Sequence, residues 1–480
     1  MLITYDRLSI GGEWVAPSTE ARIKVTNAST GAQIGSVPEA SEPDIDAAVS
    51  AARMAFDNNS GWSTWAPTQR ALALRSLADQ LEQRAENMAH RVSSQNGMPI
   101  SISRHLEGMH PVSVLRYYAD LAERMPVEED RDGINGPVVV RRQPVGVVAA
   151  IAPWNFPQTL AAFKYAPALA AGCTLVIKPS PETVLDSALF AEAVHASDIP
   201  AGVVNVVPGG REAGAYLVGH RDVDKVAFTG STAAGRSIGE VCGRLLRPVT
   251  LELGGKSAAI VLDDADLNLE RIGQELFAAT LFNNGQTCFL GTRILAPRSR
   301  YAEVVDAIAT LASSLRVGDA LDPETQIGPM VSRSHRDRVE RYIAKGKEEG
   351  ARLVVGGGRP RGDGPGWFVE PTVFADVDNR STIAQEEIFG PVLSIVSYTD
   401  DDDAIWIAND SDYGLGGSVW TNDPKRGRAV ANRVQTGTIG INHYRPDLAA
   451  PFGGFKNSGV GRELGPEGLA AYQQLQTIFC

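Results

Sequence analysis

The chain has 480 residues, with 45 Lys and Arg against 57 Asp and Glu, for a formal charge of −12. That length accommodates two or three domains with full cores, and the negative balance argues against a nucleic-acid partner, which needs a basic face. Four scattered cysteines, Cys173, Cys242, Cys288 and Cys480, show neither a CxxC nor a Cys/His spacing, which argues against a disulfide scaffold and a structural zinc site and fits a reducing compartment. The start lacks a basic region followed by an apolar core. No run approaches the ~20 apolar residues of a membrane span; Arg141, Arg142 and Lys164 break the best candidates. The expectation is a soluble, cytoplasmic protein with no metal site.

Residues 1–40 alternate short β-like runs with Gly and Pro. Ser41-Glu42-Pro43-Asp44 reads as a capping box with proline in the first turn, opening a helix with Ile45, Val49, Ala52 and Phe56 on one face. A second helix after Pro67 presents Leu74, Leu77, Leu81 and Met88 in the same way. Residues 138–148 read as β, with Pro144 marking an edge or a bend. From there strand-like runs at 147–151, 174–178, 203–207 and 225–229 alternate with helical segments, the pattern of βαβ units and a parallel sheet.

Ligands on such sheets lie beyond the carboxyl ends of the strands. Those ends carry Pro153-Trp154-Asn155-Phe156-Pro157, Lys178-Pro179-Ser180, Pro208-Gly209-Gly210 and Gly230-Ser231-Thr232. A fifth run, 249–253, holds Glu252 and ends at Gly254-Gly255-Lys256-Ser257. The pattern then restarts as a second domain, with strands at 258–262 and 293–296 and helices at 267–281 and 301–315. A glycine-rich surface loop is expected around 356–366.

Three local signals point to chemistry. Gly254-Gly255-Lys256-Ser257 is no P-loop, because Thr250 stands where that motif requires glycine. Gly230-Ser231-Thr232-Ala233-Ala234-Gly235 lacks the middle glycine of the dinucleotide fingerprint; it is either an ordinary βα turn or a helix start that binds a pyrophosphate. Cys288, in Phe282-Asn283-Asn284-Gly285-Gln286-Thr287-Cys288-Phe289, follows a helical segment and a strong breaker. By itself it reads first as a buried packing thiol, the commoner fate of a free cysteine, and second as one held where a ligand reaches it.

The ordered set Pro153-Trp154-Asn155-Phe156-Pro157, Lys178-Pro179-Ser180, Phe228-Thr229-Gly230-Ser231, Leu251-Glu252-Leu253-Gly254-Gly255-Lys256, Gly285-Gln286-Thr287-Cys288, Glu387-Ile388-Phe389-Gly390-Pro391 and Pro451-Phe452-Gly453-Gly454 resembles the aldehyde dehydrogenase superfamily over essentially the whole chain. The resemblance implies an α/β fold: a Rossmann-like coenzyme domain (1–122 and 146–253), an α/β catalytic domain (254–457) and a small β oligomerisation element (123–145 and 458–480). The family builds homodimers and homotetramers through strands, here near 137–143 and 475–480. The activity implied is oxidation of an aldehyde to the acid with hydride transfer to NAD. Cys288 matches the nucleophile, Asn155 and the Cys288 N–H match the oxyanion hole, and Glu252 matches the base that hydrolyses the thioester. The presence of Glu252 favours release of a free acid over acylation of coenzyme A. A non-catalytic relative that kept the fold, or thiol-dependent ester hydrolysis as a side activity, are the alternatives.

For the coenzyme, the resemblance implies contacts from Trp154, Lys178, Gly230, Ser231, Leu253, Glu387 and Phe389. NAD-preferring relatives often carry Glu three residues after the lysine; Pro181 stands there, with Glu182 one place along, so NADP stays open beside NAD. Phe156, Phe163, Phe289 and Phe452 match or adjoin the substrate tunnel, as do Phe282 and Tyr444, and an aromatic wall suits medium aliphatic or aromatic aldehydes. An inward-pointing Arg445 would instead anchor an anionic group. His335 and Arg338 lie where the resemblance would also allow contact with the coenzyme ribose, but read first as surface residues on a charged helix, and His443 reads as part of a loop.

Overall fold

The structure, a computed structural model, describes residues 2–360 and 364–480. Met1 lies outside the described residues, as do residues 361–363 within the expected glycine-rich loop. Two large sheets organise the chain. In the first, five parallel strands run in the spatial order Val249–Glu252, Lys225–Thr229, Val147–Ile151, Thr174–Lys178, Val204–Val206. Leu8–Ile10 and Glu13–Val15 extend one edge antiparallel, and Gly459–Val460 extends the other. The central strand Val147–Ile151 is buried at every position, which is why it reads as a continuous apolar run rather than an alternating one.

The chain proceeds outward from Val147–Ile151 to one side and then returns to place Lys225–Thr229 on its other side. The crevice of an open α/β sheet forms at such a reversal. Here it opens between the Trp154-Asn155 turn and the Gly230-Ser231 turn. The second sheet has seven strands, with Ala258–Val261 between Arg293–Pro297 and Gly417–Trp420. A third, of three strands, pairs Gln473–Phe479 and Glu128–Gly133 on either side of Gly136–Pro144. Leu475 and Phe479 on its edge are 68% and 84% exposed.

Most elements lie where periodicity puts them. The Glu42–Asp57 helix begins with the Ser41 N–H donating to Asp44 Oδ2 at 2.9 Å. Met88 is a correction: Pro67–Glu82 ends before it, and Met88 belongs to a separate helix, Ala85–Asn96. Both helices bury an apolar face in one core, so the break at Gln83 and Arg84 leaves the hydrophobic spacing almost intact. Among the described residues no helix is long and apolar enough to cross a membrane.

Candidate active site

The cysteine turn is built on backbone strain that the neighbouring chain holds in place. Asn283, Asn284 and Gly285 all have left-handed φ values of 49°, 60° and 74°. Asparagine tolerates that region better than other side chains, and glycine adopts it freely. Asn284 Nδ2 donates to the carbonyls of Gly97 and Pro329 at 2.8 and 3.1 Å, and its Oδ1 accepts the Gly328 N–H at 2.6 Å. A Cβ on Gly285 would lie 2.2 Å from the Gly390 carbonyl oxygen, so the turn presses against the segment after Phe389.

Cys288 leaves this turn partly buried, packed against the core cluster that contains Phe156, Phe163 and Phe452, with Phe282 and Phe289 beside it. Burial pushes its thiol well above the usual range, and the nearby Glu387 and Glu252 add to the shift. The backbone N–H groups of Cys288 and Phe289 act in the opposite direction. The resting sulfur is therefore a neutral thiol that needs a base.

Glu252 ends its strand 3% exposed, with neither carboxylate oxygen hydrogen-bonded. Burial raises its affinity for a proton, Glu463 raises it further, and Lys164 and Arg462 oppose. Lys164 and Glu463 form a buried ion pair at 2.8 Å, and Lys164 Nζ also donates to Thr229 Oγ1 at 2.6 Å. Asn155 lies in the turn before the Pro157–Ala171 helix. Its Nδ2 donates one N–H to the Gln286 carbonyl at 3.1 Å; an amide has two such donors, and anchoring one fixes the direction of the other. Its own carbonyl accepts from Asn96 and Asn283.

The residues that the family resemblance assigns to the coenzyme are each held by neighbouring backbone or packing. Ser231 caps the Thr232–Arg244 helix, its Oγ accepting the Ala234 N–H at 3.3 Å. Leu253 packs under that helix against Gly235, and the Gly230 N–H donates to the Glu252 carbonyl at 3.0 Å. Lys178 is buried, with Nζ bound to the Pro179 and Gly209 carbonyls at 2.9 Å each, which leaves one N–H for a ligand. Burial lowers its pKa to about 8, while Glu182 and Glu39 pull it up. Glu387 Oε1 accepts the Gly255 N–H at 2.9 Å, leaving its second oxygen for a hydroxyl. Desolvation raises this carboxyl to about 7.

Two expectations change here. His335 is no surface residue: its ring packs edge-on to Trp154 at 5.2 Å, and its Nε2 is 2.7 Å from the Phe389 carbonyl. Arg338, though exposed, donates to the Glu387 carbonyl at 2.7 Å. Residues three apart on a helix share a face, and this face of Arg333–Glu348 grips the Glu387 segment. Arg445 is exposed and pairs with Glu275 at the surface. Phe289 stacks on Tyr444 at 4.5 Å, and Phe156 on Phe282 at 6.4 Å, so the wall near Cys288 is aromatic.

Lys164, Glu463 and Asn96 are contributors the sequence reading missed. Lys164 had a signal, since it is the single charge in an otherwise apolar helix. Its partner, 299 residues away, had none. Among the described residues, no group of three or more His, Cys, Asp or Glu side chains is placed to hold a metal ion.

A free thiol beside an open parallel α/β sheet of the dinucleotide-binding kind places the protein among the α/β oxidoreductases. The family model for the aldehyde dehydrogenase family matches residues 14–478, and the chain belongs to that family. It is 57% identical over 480 residues to geranial dehydrogenase from Castellaniella defragrans, covering 100% of this chain and 99% of that protein. The crystal structure of Mycobacterium tuberculosis aldehyde dehydrogenase complexed with NAD+ superimposes with a TM-score of 0.97 at 49% identity, covering 100% of this chain and 99% of that one. A mutant aldehyde dehydrogenase C from Pseudomonas syringae, solved with NAD+ and octanal, gives a TM-score of 0.94 at 38% identity, covering 98% and 96%.

Proposed function

We propose that the protein oxidises an uncharged, apolar aldehyde to its carboxylic acid with NAD, through Cys288. The observation that carries this reading is the convergence of a neutral thiol, an unpartnered buried carboxyl and an anchored amide on one aromatic-walled site. Glu252 takes the thiol proton, and the sulfur attacks the aldehyde carbon. The developing oxyanion is met by the free N–H of the Asn155 amide and by the Cys288 N–H, one such donor being worth roughly 100- to 1,000-fold in rate. NAD, when bound, supplies the hydride acceptor that allows the thiohemiacetal to become a thioester. Once the thiol proton has passed from Glu252 to solvent, the ionised Glu252 removes a proton from water, which attacks the acyl carbon; the Cys288 sulfur leaves, regains a proton, and the acid is released. A carboxyl whose proton affinity is raised by burial suits both transfers near neutral pH.

The crevice fits the coenzyme. The Thr232–Arg244 helix offers its N-terminal N–H groups to a pyrophosphate; Lys178 and Glu387 each keep one unused hydrogen-bonding position for ribose hydroxyls. NAD rather than NADP is supported by Glu182 and Glu39, whose charges act on Lys178 and oppose a 2′-phosphate. Apolar substrates are supported by the aromatic wall and by the exposed Arg445, since a charged aldehyde would be desolvated without a partner. The relatives that act on geranial or were solved with octanal are consistent with this class. The exposed apolar edge Gln473–Phe479 supports assembly of copies through that strand.

The test is a panel of aldehydes with each coenzyme. Octanal and geranial are expected to exceed a carboxylated and a quaternary-ammonium aldehyde in kcat/KM by at least about 100-fold. Cys288→Ala is expected to abolish NADH formation, and Glu252→Gln, which lacks the base for both proton transfers, to lose steady-state turnover. Steady-state turnover at the parental rate in either variant contradicts the assignment.

A further inference from the structure

Behind the turn that carries Asn155 lies a carboxyl group that the reaction scheme does not use. Glu107 is on a single π-helical turn, Arg104–Met109, between Ile100–Ser103 and His110–Arg124. Such wide turns shift side chains out of the ordinary helical register and recur at functional sites. Glu107 is fully buried. Its Oε2 accepts the backbone N–H of Gln158 at 2.7 Å. Gln158 is the second residue of the Pro157–Ala171 helix, so this N–H has no acceptor within the helix, and the carboxyl sits at the positive end of the helix dipole. Pro157 has no N–H to offer, which leaves Gln158 as the first donor of that helix.

Further bonds fix the same turn. The Thr159 hydroxyl donates to the Leu106 carbonyl, on the same π-helical turn as Glu107. The Gln158 side chain donates to Asp186 Oδ2 at 2.6 Å, and Asp186 Oδ1 accepts from Gln95 at 2.8 Å. Asn96, the next residue, donates to the Trp154 and Asn155 carbonyls at 3.1 and 3.3 Å. The segment from Trp154 to Thr159 is thus held on its carbonyls by Asn96 and on its amides and side chains by residues 106, 107 and 186. Burial and the nearby Asp186 raise Glu107 to about 8, so at neutral pH it acts mainly as a neutral acid whose oxygen accepts this bond.

We propose that Glu107 is a positioning residue for the oxyanion donor: seated on the Gln158 N–H, it sets the orientation of the helix start and hence the direction of the Asn155 amide. This rests on the reading of Asn155 as that donor. A neutral carboxyl and a carboxamide present the same accepting oxygen, so Glu107→Gln keeps the function. Glu107→Ala and the nearly isosteric Glu107→Met remove it.

The experiment is a double-mutant cycle on the purified full-length protein, comparing Glu107→Ala, Glu107→Met, Glu107→Gln, Asn155→Ala and the double variants. Four quantities are read: kcat with octanal, alkylation of Cys288 by iodoacetamide, the NAD dissociation constant by fluorescence quenching, and Tm. Alkylation displaces iodide at a saturated carbon and forms no oxyanion, so it reports the thiol without the amide. The expected result is a kcat loss of at least about tenfold in Glu107→Ala or Glu107→Met, with alkylation and NAD affinity within about twofold of the parent. Glu107→Gln stays within about threefold, and removing Glu107 costs nothing further once Asn155 is Ala. The proposal is overturned if Glu107→Gln loses more than tenfold in kcat. It is equally overturned if the losses at Glu107 and Asn155 multiply, or if kcat, alkylation and NAD binding fall together, as general loosening of the fold predicts. A parental kcat in Asn155→Ala removes the oxyanion reading itself, and the two failures are told apart by that single variant.

Discussion

Lys164 and Glu463 form an ion pair of 2.8 Å with side chains 0% and 2% exposed, and both charges act on Glu252. Glu463 strengthens the hold of Glu252 on a proton and Lys164 weakens it. Glu463→Gln is therefore expected to leave Lys164 as the dominant neighbour and move the acid limb of the kcat/KM–pH profile to lower pH. Lys164→Met leaves Glu463 dominant and moves the limb to higher pH. Each change also breaks a buried pair, a loss of roughly 3–5 kcal/mol in comparable cases, so both profiles are taken well below the lowered Tm. Shifts in the same direction would contradict this account of the base.

Gly453 bounds the space available to that base. Its φ is +156°, and an added Cβ would lie 2.7 Å from Glu252 Oε1. Gly453→Ala is expected to displace the carboxyl and slow hydrolysis of the thioester more than its formation. Pre-steady-state kinetics should then show an NADH burst followed by a steady rate at least about tenfold lower. A lowered rate with no burst would place the damage before the acyl intermediate instead.

Coenzyme choice should respond to two acids in different elements. Glu182 is held by the Ser180 hydroxyl at 2.5 Å, and Glu39 accepts the Gly210 N–H at 3.3 Å, next to the Gly209 carbonyl bound by Lys178. The double change Glu182→Gln with Glu39→Gln removes two negative charges near the ribose. The NADP dissociation constant is expected to fall by at least about 30-fold, two unit charges at ~5–8 Å in a partly wet site being worth about 1–2 kcal/mol each, while NAD binding changes little. Titration of both coenzymes by fluorescence checks this, and unchanged discrimination moves the selectivity elsewhere.

The parts of this site legible in the sequence are those that contact ligand or chemistry through a short continuous segment. Asn283-Asn284-Gly285 announces a left-handed turn because few other residues adopt it, the Asn155 segment lies at a strand end where βαβ logic places ligands, and Glu387 is legible only through the family resemblance of its segment. What supports them is dispersed. Glu463 meets Lys164 only after the last part of the chain returns to the first sheet through Gly459–Val460, and no local pattern encodes that return. His335 was misread because Arg333–Glu348 is strongly charged; its inner face carries His335, Val339 and Ile343, too few apolar residues to outweigh the arginines around them. Glu107 carries no sequence signal, since the π-helical turn that aims it inward leaves no periodic signature.

The grip of Arg333–Glu348 on the Glu387 segment predicts a coenzyme phenotype without loss of the thiol. His335 holds the Phe389 carbonyl, and Phe389 itself has a left-handed φ of 63°, unfavourable for an aromatic residue. Arg338 holds the Glu387 carbonyl. His335→Ala with Arg338→Ala is expected to let this segment relax and to raise the NAD dissociation constant by about 10- to 100-fold, from two bonds of roughly 0.7–1.4 kcal/mol each. Iodoacetamide should still label Cys288 at the parental rate. Parental NAD affinity would show that Glu387 is held by its Gly255 bond alone.

Glu107 also makes a prediction about stability, independent of catalysis. Its pKa is raised from an ordinary 4.5 to about 8 in the folded protein, chiefly by burial. Between those values the folded chain keeps a proton that the unfolded chain has released. Unfolding therefore releases protons, and this group's contribution falls as pH rises from about 4.5 to about 8. Glu107→Gln lacks that dependence. Below about pH 4.5 the gap between parent and variant should be flat. From there to about pH 8 the variant should gain on the parent, by an amount on the order of a few kcal/mol. Contributions common to both proteins, such as the partly buried His110 and His335, each lowered to about 4 chiefly by desolvation, cancel in the difference. Urea unfolding of both proteins at pH 5, 6.5 and 8 measures it. A gap independent of pH, or a variant that loses ground as pH rises, would mean that Glu107 is ionised in the folded state.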